Sequence, residues 1–363
     1  MAESSFEYHG SVFLLHHDDL AGETLNQDAV LGVGGATNSL LNLIPHKHFE
    51  KVWDLGCGSG AISIALASHC ETVIATDISS RALAYAKESA ALNNIQNIDF
   101  CLGSLTSPIK NQAFDLIVSN PPFVIGGVTK LEHRESPFEA DGLTRELLQT
   151  IPKHLNENGI AIFLTAWLET ETEDWQDRIE QMLPDDVHVW VGLRDLLTVD
   201  EYVETWLADA KIEDENIKLT WKAKLSGWNA INIAFGFVVL QKDVSVEPCH
   251  NLNDVRNATR LPNGEEVLTA ITEMKQASAL SALSVITSSF TAATSQSWRG
   301  DVALDWVLSG LRTNLSAGLD FEVAVEKVAA ELKLDPEDVR VYGLVGVKTL
   351  VSMGLLALNT PRI

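Results

Sequence analysis

"DLGCGSGAISIAL", Asp54 to Leu66, sets three glycines at alternate positions between an apolar run and a helical pattern. The run before it, Val52-Trp53-Asp54-Leu55, reads as a strand, and Ile62, Ile64, Ala65 and Ala67 follow at helical spacing. Glycines let a backbone turn sharply and let a ligand approach the main chain. The helix that starts beyond them offers free N–H donors and the positive end of its dipole. Gly56, Gly58 and Gly60 give G-x-G-x-G. That spacing departs from the dinucleotide fingerprint G-x-G-x-x-G, and no Lys-Ser/Thr of a phosphate loop follows. Alone, the loop is equally well a tight turn between strand and helix, with Cys57 a small filler inside it.

Outward from this loop the same alternation continues. Thr72–Thr76 reads as a second strand, Arg81–Asn93 as a helix and Ile98–Cys101 as a third strand. Phe114–Ser119 is a fourth strand, Gly142–Leu155 a helix and Ile160–Leu164 a fifth strand. Strands alternating with helices of this length predict a mostly parallel sheet covered on both faces. Further on, a helix is expected near Trp175–Leu183, a strand at Val187–Val191, and a late strand at Ile231–Leu240, added antiparallel at the sheet edge. Residues 243–262 are polar, carry Pro248 and Pro262, and read as a linker. From about 264 the pattern is helical through Glu322–Leu332 and Val339–Leu356. Asp335-Pro336 marks a helix start, and the whole suggests a winged-helix-like module. The expected organisation is an N-terminal lid or helical segment (1–49), a catalytic domain (50–242), the linker (243–262) and a mainly helical domain (263–363).

The second strand ends in Asp77-Ile78-Ser79, about 20 residues past the loop, where a carboxylate can hold a ribose diol. Asp77 as a simple helix cap is compatible with that role. The third strand runs into Ser104-Leu105, level with an adenine ring that Ile78 and Leu105 could sandwich while Ser104 meets its amino edge. The fourth ends in Asn120-Pro121-Pro122-Phe123. Two prolines at the tip of a buried strand make a rigid elbow without N–H donors. The Asn120 side-chain oxygen and the Pro121 carbonyl are placed to accept the two N–H bonds of a planar NH2 group. Phe123, with Pro122, can stack on a flat target.

With these residues in this order, the chain resembles class I S-adenosylmethionine-dependent methyltransferases. "DLGCGSGAISIALA", "TDISSRALAYAKESAALNN" and "FDLIVSNPPF" resemble the release-factor glutamine N-methyltransferases most. More loosely, the chain is similar to actinobacterial proteins that pair this catalytic domain with Trp/Asp-rich elements like "VDEYVETWLADA" and a C-terminal helical extension. The resemblance implies a Rossmann-like, mostly parallel seven-stranded sheet and S-adenosyl-L-methionine as cofactor. It implies cofactor contacts from Asp54, Gly56, Cys57, Gly58, Gly60, Asp77, Ile78, Ser104, Leu105 and Asn120. Catalysis would rest on Asn120 and Pro121, and substrate binding on Pro122 and Phe123. The implied acceptor is a glutamine of a release factor. Exocyclic amines of ribosomal RNA, transfer RNA or DNA are the alternative, because N-P-P-F also occurs among base methyltransferases. A non-catalytic scaffold is the reading of another class.

Composition bears on partners. The 363 residues carry a net charge of −24, which disfavours a phosphate-gripping surface. No apolar run reaches the roughly 18–20 residues that span a bilayer. MAESSFEYHG lacks the features of a secretory signal. Cys57, Cys70, Cys101 and Cys249 form no C-x-x-C pair, so free thiols in a reducing cytosol and no zinc site are expected. His16-His17-Asp18-Asp19 reads as a solvated loop rather than a metal site, since neighbours on an extended segment face opposite ways. Val33–Ser39, with Gly34-Gly35 and a helix starting at Thr37, could form a lid over the cofactor. Asp115 is expected to cap or pair within its strand.

Overall fold

The stretch 1–49, expected to be a lid or helical segment, opens instead with two strands: Ala2–Tyr8 (β1) and Ser11–His17 (β2) pair as an antiparallel hairpin. The computed structural model describes residues 2–18, 28–129, 131, 133–245, 247–258, 260–275, 311, 314, 321–332, 336 and 339–340. The chain divides into two units, Met1–Val244 with His250–Leu268, and Ser245–Cys249 with Thr269–Ile363.

In the first unit, Gly35–Leu43 (α1) leads to Phe49–Leu55 (β3), Ala61–Leu66 (α2), Cys70–Asp77 (β4), Ser80–Leu92 (α3), Ile98–Leu102 (β5) and Phe114–Ser119 (β6). Gly142–Thr150 (α4), Leu155–Thr170 (β7), Trp175–Glu180 (α5), His188–Thr198 (β8), Val199–Asp209 (α6), Glu215–Ser226 (α7), Ala230–Gln241 (β9) and His250–Asp254 (β10) complete it. Eight strands form one sheet in the order β10-β8-β9-β7-β6-β3-β4-β5. β5, β4, β3, β6 and β7 run parallel, and β9 is antiparallel to both β7 and β8. The fold class is the mostly parallel, helix-covered sheet the alternation predicts.

Two further details differ from expectation. β9 is not at the edge but lies between β7 and β8, and β10 adds parallel to β8 as an eighth strand. INIAFGFVVL is apolar nearly throughout, and Phe237, Val238, Val239 and Leu240 are buried. A strand buried on both faces needs paired neighbours on both sides, because an unpaired buried N–H or C=O is costly. β10 falls inside the stretch read as a linker. Its polar residues suit an edge, where Trp190 donates its indole N–H to Asn253 at 2.7 Å. The Trp- and acid-rich stretch after β8 holds α6 and α7. Thr198 and Glu201 close a capping box on α6, and Asp214 caps α7.

Parallel order fixes where a ligand can lie. From β3 the chain goes to β4 and β5 on one side, then crosses to β6 on the other. The carboxyl ends of β3 and β6 therefore diverge at a switch point, the usual crevice of an open α/β sheet. Trp53, Phe114, Ile117 and Phe163, all fully buried or nearly so, fill the sheet beneath it.

In the second unit, a helix over Phe321–Leu332 stands where the sequence places one, with Ala324, Val325, Val328 and Ala329 buried on one face. Glu322 and Arg340 form an ion pair at 2.8 Å. The Asp335-Pro336 start, the helix over 339–356 and the winged-helix reading rest mostly on residues outside those described.

Candidate active site

The glycine turn is held from below. Gly56 and Cys57 donate backbone N–H bonds to the Thr76 carbonyl at 2.8 and 2.9 Å. Asp54 is fully buried under the turn, and its Oδ2 accepts from the Ser63 N–H at 3.0 Å and hydroxyl at 2.5 Å. Gly56, Gly58 and Gly60 all have positive φ, at 75°, 54° and 88°. A Cβ on Gly56 or Gly58 would meet nothing within 4 Å, whereas one on Gly60 would sit 2.9 Å from the Ala86 Cβ. The first two glycines thus present open backbone, and the third permits close packing of α2 on α3.

Asp77 ties the second strand to this turn. Its Oδ2 accepts the Gly58 N–H at 2.9 Å and its Oδ1 the Ser79 N–H at 2.8 Å. Ser79, not Asp77, caps α3 through a bond from Ala82. Beside Asp77, Ile78 is 73% exposed, an apolar side chain with an open face. Leu105 adopts φ +47°, uncommon for a bulky residue and a mark of local constraint.

At the end of β6, the Ser119 hydroxyl donates to the Leu55 carbonyl at 2.8 Å, which draws the Asn-Pro-Pro-Phe elbow against the start of the glycine turn. The Asn120 side chain makes no hydrogen bond among the described residues. Phe123 stacks on Phe235 at 4.6 Å and meets Trp206 edge-on at 6.2 Å. Arg194 lies 4.8 Å over the Phe235 ring.

A cavity of about 660 Å³ joins these parts. Gly56, Cys57, Gly58, Asp77, Ile78, Ser104, Leu105, Asn120, Pro121, Pro122 and Phe123 all line it. Asp54 and Gly60 do not; both act beneath the turn, because one is sealed by Ser63 and the other is pressed on Ala86. Asp115 also stays outside, binding the Glu50 and Lys51 N–H groups and the Asn156 amide.

Several wall residues escaped the sequence reading. Asp28–Gly32 line the cavity, together with Gly34–Thr37 of the Val33–Ser39 stretch, and α1 starts at Gly35 rather than Thr37. Ser59 donates to the Leu31 carbonyl at 2.7 Å, and the Asp18 carboxylate holds the Val30 N–H, Tyr85 and Arg81. Asp18 thus ties this segment to α3. His133, Arg134, Trp206, Asp209 and Lys211 form the opposite wall. Arg134 bonds Asp209 at 2.7 Å and the Trp206 carbonyl at 3.0 Å, while Ile125 is clamped by the Tyr202 hydroxyl and the Trp221 indole. Only the pairing of acid, Trp and Tyr in VDEYVETWLADA hinted at this wall.

The walls differ electrostatically. Burial pushes the Asp54 carboxyl up to about 7, with Asp77 adding repulsion, and leaves its Oδ1 without a partner among the described residues. Burial also raises Asp77 and lifts the Cys57 thiol well above its ordinary value, so Cys57 stays neutral. Burial lowers His133 to about 4, helped by Arg134. Among the described residues no group of three or more His, Cys, Asp or Glu could hold a metal ion, and no helix is long and apolar enough to cross a membrane.

Residues 31–166 match the methyltransferase small domain family. A release factor glutamine methyltransferase of Aliivibrio fischeri is 41% identical over 93 residues, covering 25% of this chain and 33% of that protein. Ribosomal RNA small subunit methyltransferase C of Salmonella arizonae is 35% identical over 137 residues, 37% of this chain and 36% of that protein. Among solved structures, a ribosomal protein L11 methylase of Lactobacillus delbrueckii subsp. bulgaricus shares 30% identity over 36% of this chain and 62% of that one, with a TM-score of 0.28. The chain thus spans about a third of the length of these two curated relatives.

Proposed function

We propose that this protein is an S-adenosyl-L-methionine-dependent N-methyltransferase whose acceptor is a planar NH2 group, most fittingly a glutamine carboxamide of a release factor. The observation that carries this reading is the Asn120 amide. It is unpartnered among the described residues, it follows a donor-free Pro-Pro elbow, and it lines the same cavity as the open glycine turn. A scaffold has no use for such an elbow.

The residues fit the cofactor. Gly56 and Gly58 leave their backbone face open. Asp77, with two N–H bonds already accepted, keeps lone pairs for a ribose diol. Ile78, Ser104 and Leu105 bracket the adenine, and Cys57 closes the loop as a small neutral filler. When bound, the cofactor supplies an electrophilic methyl group on a sulfonium, which leaves its bonding pair on sulfur as the acceptor nitrogen takes the carbon.

The chain's own residues do the positioning. Asn120 Oδ1 and the Pro121 carbonyl each accept one N–H of the acceptor, turning its lone pair toward the methyl group. Pro122 and Phe123 support its flat face. The nitrogen's surplus proton becomes acidic once the new bond forms and passes to solvent, so no strong base is required. Alignment of this kind is worth up to about 7–11 kcal/mol.

The net charge of −24 and the glutamine-methyltransferase relative favour a protein acceptor. The second reading is an exocyclic amine, guanine N2 or adenine N6, of rRNA, tRNA or DNA; the Phe123 ring, backed by Phe235, and the ribosomal RNA relative favour it. Four free cysteines suit a reducing cytoplasm. The test is incubation with labelled cofactor and, separately, release factors, ribosomes, transfer RNA and DNA. Label on a release factor glutamine is expected. Label on nucleic acid alone selects the second reading, and absence of cofactor binding by calorimetry leaves only the scaffold.

A further inference from the structure

A carboxamide held at Asn120 and Pro121 by both N–H bonds still has its own carbonyl oxygen. That oxygen is a strong acceptor, and enclosing it without a donor costs on the order of a hydrogen bond or more. The elbow is poor in such donors: both prolines lack N–H, the Phe123 side chain is hydrocarbon, and Asn120 carries its one side-chain NH2.

The helical insertion between β8 and β9 offers a further donor. Trp206 of α6 lines the cavity and touches the Phe123 ring, the residue that ends the elbow. The indoles of Trp53, Trp167, Trp190 and Trp221 donate to Thr76, Trp175, Asn253 and Ile125. The Trp206 indole N–H, like those of Trp175 and Trp228, has no such partner among the described residues, and of these three only Trp206 lines the cavity; an indole N–H can only donate. Its place is held from three sides. Arg134 lies 5.4 Å over its ring and bonds its backbone carbonyl, and Tyr202 meets it edge-on at 6.3 Å. His133, Arg134 and Lys211 also carry N–H groups on this wall; Arg134 is engaged by Asp209 and the Trp206 carbonyl, and Lys211 is exposed.

The helix also argues about the acceptor's charge. α6 carries Asp200, Glu201, Glu204 and Asp209 and no Lys or Arg. Lys222, Lys218 and Arg134 beside it are engaged in ion pairs with Asp200, Glu204 and Asp209 at 2.7–2.8 Å, which leaves Lys211, just past its end, as the cation without an ion pair among the described residues of this wall. A phosphate backbone needs free cations along its path, and this wall offers few.

We infer that the α6–α7 insertion is the acceptor-selecting element, and that Trp206 reads the acceptor by donating its indole N–H to the carbonyl oxygen of a polypeptide carboxamide. The inference rests on the glutamine reading above and names the residue that makes the choice. The bond is present in the bound acceptor as well as at the transition state, so its loss shows chiefly in KM.

Trp206→Phe keeps a ring and removes the N–H. In the full chain we expect cofactor affinity within two-fold of the parent, and kcat/KM on a purified release factor lower by about three- to ten-fold, mostly through KM. A second readout needs no turnover. The ¹⁵N-indole resonance missing from Trp206→Phe identifies Trp206 in the parent, and N-acetylglutamine amide added with S-adenosylhomocysteine should move it downfield. Unchanged kcat/KM in the variant, or a resonance that stays still at saturation, overturns the inference. If the release factor takes no label yet the resonance moves, the release-factor reading fails and this inference stands. Label on ribosomal RNA that Trp206→Phe leaves undiminished overturns both.

Discussion

The two walls of the cavity are built in different ways. The cofactor wall comes from short, consecutive stretches: a strand end, a glycine turn and the next strand end, all between Asp54 and Leu105. Its bonds join neighbouring parallel strands, such as Gly58 to Asp77 and Cys57 to Thr76. The acceptor wall is assembled from distant parts. Ile125 is fixed by Tyr202 and Trp221, and Arg134 by Asp209, across 70 to 100 residues of sequence. A wall built from a local motif varies little between proteins that share the ligand. A wall built from an insertion can change its target without disturbing that motif.

The sharpest way to break this comparison is Asn120→Ala, where the two walls meet. Methyl transfer should fall about 100- to 1000-fold, equivalent to roughly 2.7–4 kcal/mol for one preorganised acceptor. Cofactor affinity by calorimetry should stay within a few-fold. A variant that turns over normally removes the elbow from the mechanism.

Asp77→Ala probes the cofactor wall alone. Affinity for S-adenosyl-L-methionine should drop about ten- to a hundred-fold, from charged hydrogen bonds worth roughly 1.5–3 kcal/mol. Undiminished affinity in calorimetry would place the ribose elsewhere.

Tyr202→Phe probes the acceptor wall. It leaves the buried Ile125 N–H without its 2.7 Å partner, at a cost of about 1–3 kcal/mol in urea unfolding. Acceptor KM should rise while cofactor affinity holds. Equal loss of both would mean the walls are one mechanical unit.

The smallest effect is one of pH. His133 stays neutral in the fold down to about pH 4, whereas the unfolded imidazole takes a proton near 6.5. Between those values the unfolded chain binds more protons, so stability falls as pH drops from about 6.5 to 4. Asp54 acts oppositely. Its folded value near 7 lies above the unfolded 3.8, so the fold binds more protons in that window and stability falls as pH rises through it. In His133→Asn the melting temperature should decline less on acidification, while the Asp54 limb stays. An unchanged acid limb would put the titrating group elsewhere.

Legibility in the sequence follows the same division. β6 begins and ends where its apolar run does, and Gly56, Gly58, Asp77 and Asn120 came together as their motif order implies. Asp54 and Gly60 were read as ligand contacts because they belong to the same motif. Their burial depends on Ser63 and Ala86, which a motif does not name. β1 and β2 stand where a lid or helical segment is expected, because alternation over seven residues is a weak signal beside a βαβ series.

What the sequence by itself determined is the mostly parallel sheet, its glycine turn and which residues stand at the strand ends. Those properties come from periodicity, from glycine's access to positive φ and from proline's missing N–H, all of which act within a few residues. Tertiary structure alone decided that β9 lies inside the sheet, that the segment before α1 folds back over the cavity, and that Trp206 stands against Phe123 with its N–H unspent. Each of these depends on which distant groups satisfy one another's hydrogen bonds and apolar surface, and nothing in the spacing of residues along the chain encodes that choice.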